Sequence, residues 1–167
     1  MELVNLINFA NIISSSIAGL IVIFIIFIYK EKIKKITDFS GLWYIKTVTK
    51  ETKYNPYKEM ILIYQITLLQ KGQDLEGTAE KIYEKTEKKG SKKYIGKKRI
   101  CSKVEGYIER NYFGADKIFI HAIEKGQERE STIFYTISKK CGKFEGSFTA
   151  TAGDSKGSCI WQRTSFC

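Results

Sequence analysis

Two patterns of hydrophobic and polar residues divide the chain. Residues 12–29 contain no charged side chain, and the uncharged run extends back to Leu3. An α-helix of that length rises about 27 Å, close to the roughly 30 Å hydrocarbon core of a bilayer. This pattern predicts a transmembrane anchor over residues 1–29, followed by a basic juxtamembrane linker over residues 30–37.

After Asp38 the pattern changes to short runs in which apolar and polar residues alternate, separated by turn residues. We expect eight strands, at about Leu42–Lys50, Glu59–Lys71, Leu75–Glu84, Lys98–Arg110, Lys117–Glu124, Glu130–Ser138, Lys143–Thr151 and Gly157–Ser165. Tight turns connect most of them, and closure of the sheet removes its exposed edges. Residues 38–167 are therefore predicted to be all-β, an eight-stranded antiparallel up-and-down β-barrel of the lipocalin or avidin kind. A β-sandwich is the alternative.

The residues that flank the apolar run predict its orientation. The chain starts with an acidic Glu2, and the sequence KEKIKK follows the run directly, which is not typical of a cleaved signal peptide. By the positive-inside rule, the N-terminus lies outside and the barrel in the cytoplasm. The linker reaches at most about 26 Å, so the barrel is expected close to the membrane. The small residues at 14–16, 18 and 19 either are tolerated polar positions or form a face on which identical helices pack.

Alternation also separates the inner face of each strand from its outer face. In the fourth predicted strand Lys103, Glu105 and Glu109 share a face that must be solvent-exposed. The same test places the following residues inside: Trp43, Ile45, Thr47, Met60, Leu62, Tyr64, Ile66, Leu75, Gly77, Ala79, Lys81, Tyr83, Ser102, Val104, Gly106, Ile108, Arg110, Ser131, Ile133, Tyr135, Ile137, Phe144, Gly146, Phe148 and Ala150. The small members of this set are expected to leave room for a ligand, which a barrel of this size can hold.

Lys81 and Arg110 are the two cations on the predicted inner face. A buried cation is costly without an anion beside it. Glu124, near a strand end, is the one acidic candidate inside. Three alternatives follow: a ligand supplies the anion, Glu124 supplies it, or a cation lies at a rim and extends its end into water.

The two ends of the predicted barrel differ. Gly41-Leu42-Trp43 and Arg163 fall at the same end, and this combination resembles the closure of lipocalin-like barrels. The other end carries the segment KTEKKGSKKYIGKKR, residues 85–99, with eight basic residues against one acid. This basic segment is expected either to form a flexible positive lid that attracts a phosphate compound, or to be a solvated, disordered loop.

The composition narrows the chemistry. The net charge of +10 favours anionic partners, although many of the lysines can serve solubility alone. Cys101, Cys141, Cys159 and Cys167 lack the spacing of zinc ligands. The single histidine, His121, falls on the outer face without a nucleophile pattern, and the sequence has no glycine-rich phosphate loop. We therefore expect no enzyme, no metal site and no cofactor.

Three stretches of sequence carry a resemblance: DFSGLWYIKTV at residues 38–48, YQITLLQKGQDLEG at 64–77 and GSCIWQR at 157–163. Together with the apolar anchor and the short basic linker, they resemble the membrane-anchored β-barrel effectors of bacterial cyclic-oligonucleotide antiphage signalling (CBASS), a family that usually has two transmembrane helices. The resemblance implies a barrel that binds a cyclic di- or oligonucleotide made by a partner nucleotidyltransferase, and helices that oligomerise and disrupt the inner membrane. In related systems the ligand restrains the effector. This chain departs from the family in having one apparent span.

A cyclic dinucleotide offers phosphates to cations, base faces to aromatic rings and base edges to hydroxyl groups. The predicted ligand-binding residues are accordingly Lys81 and Arg110 for phosphate, Tyr64, Tyr83 and Tyr135 for stacking, and Thr47, Ser102 and Ser131 for base edges. The expected partners are this nucleotide, the membrane and further copies of the chain, rather than DNA or RNA. The alternative functions are a lipocalin-like carrier of an apolar molecule and a membrane-tethered interaction scaffold.

Overall fold

The computed structural model of the protein describes residues 2–33, 36–88, 90–111, 114–125 and 130–166. The chain consists of two compact units, Met1–Thr37 and Asp38–Cys167.

The N-terminal unit is a helix, α1 (Glu2–Ile28), which ends in a π-helical turn over Tyr29–Ile33. Its segment Asn11–Ile28 has a mean hydropathy of 2.5, so it is long and apolar enough to cross a membrane. The Ser15 and Ser16 hydroxyls donate to the carbonyl oxygens of Asn11 and Ile12, at 2.8 and 2.9 Å. These bonds satisfy the hydroxyl protons within the helix, which suits an apolar surrounding.

The second unit contains nine strands in the part of the chain that the structure describes. They are β1 (Gly41–Glu51), β2 (Ile61–Lys71), β3 (Asp74–Thr86), β4 (Gly90–Lys93), β5 (Ile100–Glu109), β6 (Lys117–Lys125), β7 (Glu130–Lys140), β8 (Lys143–Ala150) and β9 (Ser155–Gln162). All strands except β4 pair antiparallel around a closed ring, from β1 through β2, β3 and β5–β9 back to β1. The predicted eight-stranded antiparallel barrel after an apolar helix is confirmed.

The ninth strand, β4, was not predicted. It lies within the basic segment and pairs with the end of β3, with Tyr83 opposite Lys93 and Thr86 opposite Gly90. The expectation of a flexible or disordered loop there is wrong for this part of the segment. All four residues of β4 are exposed and none is apolar, so the strand shows none of the alternation by which the others were recognised.

The barrel core follows the predicted inner face closely. Ile45, Ile66, Leu75, Val104 and Ile108 are almost completely buried. The glycines on that face have a different role from the one expected. A Cβ atom on Gly77 would overlap the carbonyl oxygen of Thr67, and one on Gly146 would overlap that of Thr136. A Cβ atom on Gly106 would overlap the carbonyl oxygen of Phe119. These glycines therefore allow neighbouring strands to approach and do not leave room for a ligand.

One end of the barrel is filled by aromatic rings. Phe39 and Trp43 stack with their centroids 5.3 Å apart, and Trp43 contacts Phe144 and Trp161 edge-on or tilted. The Trp43 Nε1–H group donates to the carbonyl oxygen of Phe39 at 2.8 Å. Arg163 lies over the same ring. The two predicted elements of the closure therefore meet, and we call this the closed end.

Candidate functional site

A cavity of about 150 Å³ lies at the end of the barrel opposite Trp43. We call it the open-end cavity. Its hydrophobic walls come from Leu62, Tyr64, Ile133, Tyr135 and Phe148, and its polar groups come from Thr47, Thr49, Lys81, Glu84, Glu124 and Ser131. An engineered protein cavity of about this volume holds one benzene molecule, whereas pockets for drug-sized ligands measure roughly 300–1,000 Å³. The open-end cavity is therefore sized for one ring system and not for a whole dinucleotide.

A buried ion pair lies in this cavity. Lys81 Nζ is 2.9 Å from Glu124 Oε1, and the Tyr64 hydroxyl donates to Glu124 Oε2 at 2.9 Å. Lys81 and Glu124 are only 8% and 9% exposed. Of the alternatives that the sequence left open for Lys81, the structure therefore shows a protein carboxylate as its anion.

A second carboxylate lies close by. Glu84 Oε2 is 3.7 Å from Lys81 Nζ, so two acidic side chains surround one lysine. The three groups carry a formal charge of −1. On charge grounds, the interior of the cavity is unfavourable for a phosphate.

A β-bulge places Glu84 in the cavity. Tyr64 pairs with Lys81, but the preceding residue of β2, Ile63, pairs with Tyr83, so β3 contains one extra residue at Ile82. One extra residue reverses which side chains face inward. Tyr83 consequently lies in the outer row with Ile63 and outside the cavity lining, and its predicted inward position is wrong.

The basic segment places a tyrosine against Glu84, which lines the cavity. The Tyr94 hydroxyl donates to Glu84 Oε2 at 2.9 Å. Lys92 Nζ lies 4.9 Å and Lys81 Nζ 5.6 Å from the centroid of the Tyr94 ring. Burial, and then the hydrogen bond to Glu84, raise the pKa of Tyr94 to about 12. At physiological pH the phenol is therefore neutral, and it acts as a hydrogen-bond donor to Glu84.

Sequence reasoning missed both Tyr94 and Glu84. Tyr94 carried a usable signal, because it is the lone aromatic residue among the lysines of residues 85–99. Glu84 had no such signal in the sequence, because its inward position depends on the bulge at Ile82.

Five of the eight predicted ligand-binding residues meet at the open-end cavity: Thr47, Tyr64, Lys81, Ser131 and Tyr135. Within the described residues, the hydroxyl groups of Thr47 and Ser131 make only long contacts, of 3.4 Å to the Leu62 carbonyl oxygen and 3.5 Å to Thr151 Oγ1. Hydrogen bonds between oxygens are normally shorter, so both hydroxyls are available to a ligand.

Three of the predicted residues lie elsewhere. Tyr83 is in the outer row, as described above. Arg110 follows the far end of β5, whose first residue, Ile100, pairs with Lys81. Arg110 is ten positions further along the chain than Ile100, about 33 Å at the spacing of a strand, so Arg110 and Lys81 do not form one site. Ser102 is buried opposite Glu124 but does not line the cavity, and its hydroxyl has no hydrogen-bond partner within the described residues.

The floor of the cavity is aromatic. Tyr135 lies edge-on to Trp161 at 5.9 Å and tilted to Phe148 at 6.3 Å. Burial, with a contribution from the nearby Glu124 charge, raises the pKa of Tyr64 and of Tyr135 well above 10.0. Both phenols therefore stay neutral. The cavity combines flat apolar walls with one cation and two carboxylates, which suits a ring that carries several hydrogen-bonding groups.

The remaining candidates for chemistry lie apart from the cavity. His121 is on the outer face, as predicted, where its ring stacks on Phe134 at 4.9 Å. Among the described residues, no group of three His, Cys, Asp or Glu side chains is placed to hold a metal ion. Comparison of the chain with known protein families, with curated proteins and with solved structures gave no match.

Proposed function

We propose that the chain is a membrane-anchored receptor and effector of antiphage defence, which binds a cyclic di- or oligonucleotide at the open end of its barrel and oligomerises to disrupt the inner membrane. The observation that carries the binding proposal is the open-end cavity, where Lys81, Glu84 and Glu124 face a space of about 150 Å³ between aromatic walls. The antiphage role rests on the sequence resemblance described above.

The size and charge of the cavity determine how such a ligand binds. One base enters the cavity, because a single ring system fits the volume. The phosphates stay outside, since two carboxylates surround Lys81. At the rim they meet the basic segment, in which Lys92 lies beside Tyr94. This arrangement replaces the sequence-based assignment of Lys81 and Arg110 to the phosphates.

The apolar helix supplies the effector function. The lysines that follow α1 favour an N-terminus outside and a barrel in the cytoplasm, where a nucleotidyltransferase would release its product. Ligand at the barrel then changes how the helices of several copies associate in the membrane. Whether occupancy promotes or restrains that association is decided by growth experiments with and without the nucleotide.

The apolar-carrier alternative is less well supported. Buried ionised side chains such as Lys81 and Glu124 are expensive to leave against an aliphatic ligand that offers no hydrogen bonds. The scaffold alternative requires no cavity at all.

Thermal unfolding of the full chain in detergent micelles separates these functions. We expect cyclic dinucleotides to raise the melting temperature, because they bind the folded barrel alone. A fatty acid and the matching linear dinucleotide serve as control ligands. Stabilisation by the fatty acid alone would overturn the proposal in favour of a carrier. If none of these ligands raised the melting temperature, the interaction scaffold would be the remaining function.

The effector half of the proposal needs a growth assay in cells that also express a cyclic-dinucleotide synthase. Replacing Val22 and Ile25 of α1 with lysine removes the apolar span, so nucleotide-dependent growth inhibition should disappear. The matched control replaces the same residues with leucine and should behave as wild type. Equal inhibition by the lysine variant would contradict a membrane effector.

A further inference from the structure

We infer that the open-end cavity selects guanine over adenine. This inference rests on the proposed binding of a cyclic nucleotide and adds the identity of the base that enters. It follows from the donors of Lys81 and the acceptors of Glu84 that their contacts inside the protein do not use.

Lys81 has donors to spare. Its ammonium group carries three N–H bonds, and among the residues that the structure describes one of them is used, by Glu124 at 2.9 Å. Glu84 Oε2, at 3.7 Å, is beyond hydrogen-bond length from Lys81 Nζ. An acceptor atom of a ligand can therefore bind the ammonium without breaking the Lys81–Glu124 pair.

Glu84 has acceptors to spare. A carboxylate offers about four lone-pair sites on its two oxygens. Within the described part of the chain, Tyr94 donates to one of them, on Oε2, at 2.9 Å. The Glu84 side chain is 28% exposed, so it lies between the buried Lys81 and the solvent at the cavity mouth. That Tyr94 bond fixes the carboxylate beside Lys81 and leaves Oε1 and the second lone pair of Oε2 for a ligand.

The resulting order of groups is one donor followed by two acceptors. Guanine presents the complement on one edge: the O6 acceptor, then the N1–H donor, then the N2–H donor. O6 binds Lys81, and the two adjacent N–H groups bind the two oxygens of Glu84 in the bidentate manner that carboxylates favour. The aromatic walls at Tyr64 and Tyr135 enclose the faces of the bicyclic ring.

Adenine matches this order less well. It offers its N6 amino group to Glu84 and a ring nitrogen to Lys81, but the atom beside the amino group, N1, is an acceptor. Adenine therefore donates one hydrogen bond to Glu84 where guanine donates two. A hydrogen bond to a charged group contributes about 1.5–3 kcal/mol, so the missing bond corresponds to a preference for guanine of at least about tenfold.

The test is a set of binding titrations on the full chain in detergent micelles, with cyclic di-GMP, cyclic di-AMP, the mixed cyclic GMP–AMP and cyclic di-IMP. We expect cyclic di-GMP and the mixed ligand to bind with similar affinity, because one base enters, and cyclic di-AMP to bind at least about tenfold more weakly. Cyclic di-IMP lacks only the N2 amino group, so its affinity should fall between these. This series needs no variant.

Glu84→Gln identifies the residue responsible. Its side-chain amide keeps the shape but replaces one acceptor by a donor, so the preference for cyclic di-GMP over cyclic di-AMP should fall to within about threefold. The matched control is Glu80→Gln on the outer face, where Glu80 pairs with Arg99; it should keep the wild-type preference. Equal or tighter binding of cyclic di-AMP by the wild type would overturn the guanine inference alone. Absence of binding by all four ligands would overturn the proposed function as well.

Discussion

The guanidinium of Arg163 lies 4.0 Å from the centre of the Trp43 ring at the closed end of the barrel. The same group donates from Nη1 to the carbonyl oxygens of Ser40 and Leu42, at 2.9 and 3.2 Å. The Arg163 side chain thus connects the residue just after β9 to the start of β1. Arg163 and Leu42 are 121 residues apart in the sequence. Arg163 therefore stabilises the closure of the sheet at this end.

Arg163→Ala should lower the free energy of unfolding by about 1–2 kcal/mol. A cation–π contact at an exposed position contributes roughly 0.5–1 kcal/mol, and hydrogen bonds to carbonyl oxygens add a similar amount. Arg163→Lys keeps the charge but lacks the planar guanidinium with its several N–H donors, so it should recover only part of the lost stability. Urea unfolding followed by tryptophan fluorescence measures the effect. Equal stability of Arg163→Ala and wild type would show that the contact has no structural role.

Lys81→Met should be strongly destabilising, by about 3 kcal/mol or more, because it leaves Glu124 buried without its cation. The double variant Lys81→Met with Glu124→Gln should regain most of that stability, because the buried charge at Glu124 is gone and the remaining carboxylate, Glu84, is 28% exposed and reaches water. As a control, Lys71→Met removes an exposed pair with Glu76 and should change stability by less than about 1 kcal/mol. If the effects of Lys81→Met and Glu124→Gln were additive in the double variant, the two residues would not be coupled.

Gly146→Ala tests the close approach of β7 and β8. The added methyl group overlaps the carbonyl oxygen of Thr136, a backbone atom that moves only with its strand. We expect a loss of roughly 3 kcal/mol, at the upper end of the range for overpacking. Thr149→Ala on the same strand, at an exposed outer position, is the control and should be nearly neutral. Wild-type stability of Gly146→Ala would mean that this glycine is not required by the packing.

The tyrosines predict an alkaline transition. The pKa of Tyr94 rises in the folded protein from 10.0 to about 12, so the fold favours the protonated phenol. This contribution to stability is complete below pH 10 and is lost as the pH rises towards 12. In a phenolate absorbance titration, Tyr94→Phe should remove a component that titrates near pH 12. If the component that Tyr94→Phe removes titrated near pH 10.0 instead, Tyr94 would not be held in this partly buried contact with Glu84 in solution.

Much of the fold followed from period-two alternation, because inner positions such as Ile45 and Val104 are buried while their neighbours are half-buried or exposed. Three features were outside its reach. The bulge at Ile82 reverses the faces of Tyr83 and Glu84, and nothing in the local sequence marks an inserted residue. Strand β4 is entirely exposed, so it has no buried face to alternate with.

The third feature is the role of the inner glycines. Their small size alone predicts empty space, but whether a missing Cβ leaves a cavity or lets a strand approach depends on the coiling of the sheet, which composition does not reveal. The position of Lys81 was predictable, and Glu124 was identified as its possible partner. That Lys81 and Glu124 lie within hydrogen-bond distance depends on the register of the strands, which the sequence pattern does not give.

The central claim is that a base of the ligand enters the open-end cavity. Ala150 lines this cavity, whereas Thr149 is exposed on the outer face of the same strand. The most direct test is a calorimetric titration of the full chain with cyclic di-GMP, comparing wild type, Ala150→Phe and Thr149→Phe after each is shown to be folded. We expect saturable binding by wild type and Thr149→Phe, and at least about a hundredfold weaker binding by Ala150→Phe, because its ring occupies the space of the base. Equal affinity of wild type and Ala150→Phe would contradict entry of a base into this cavity.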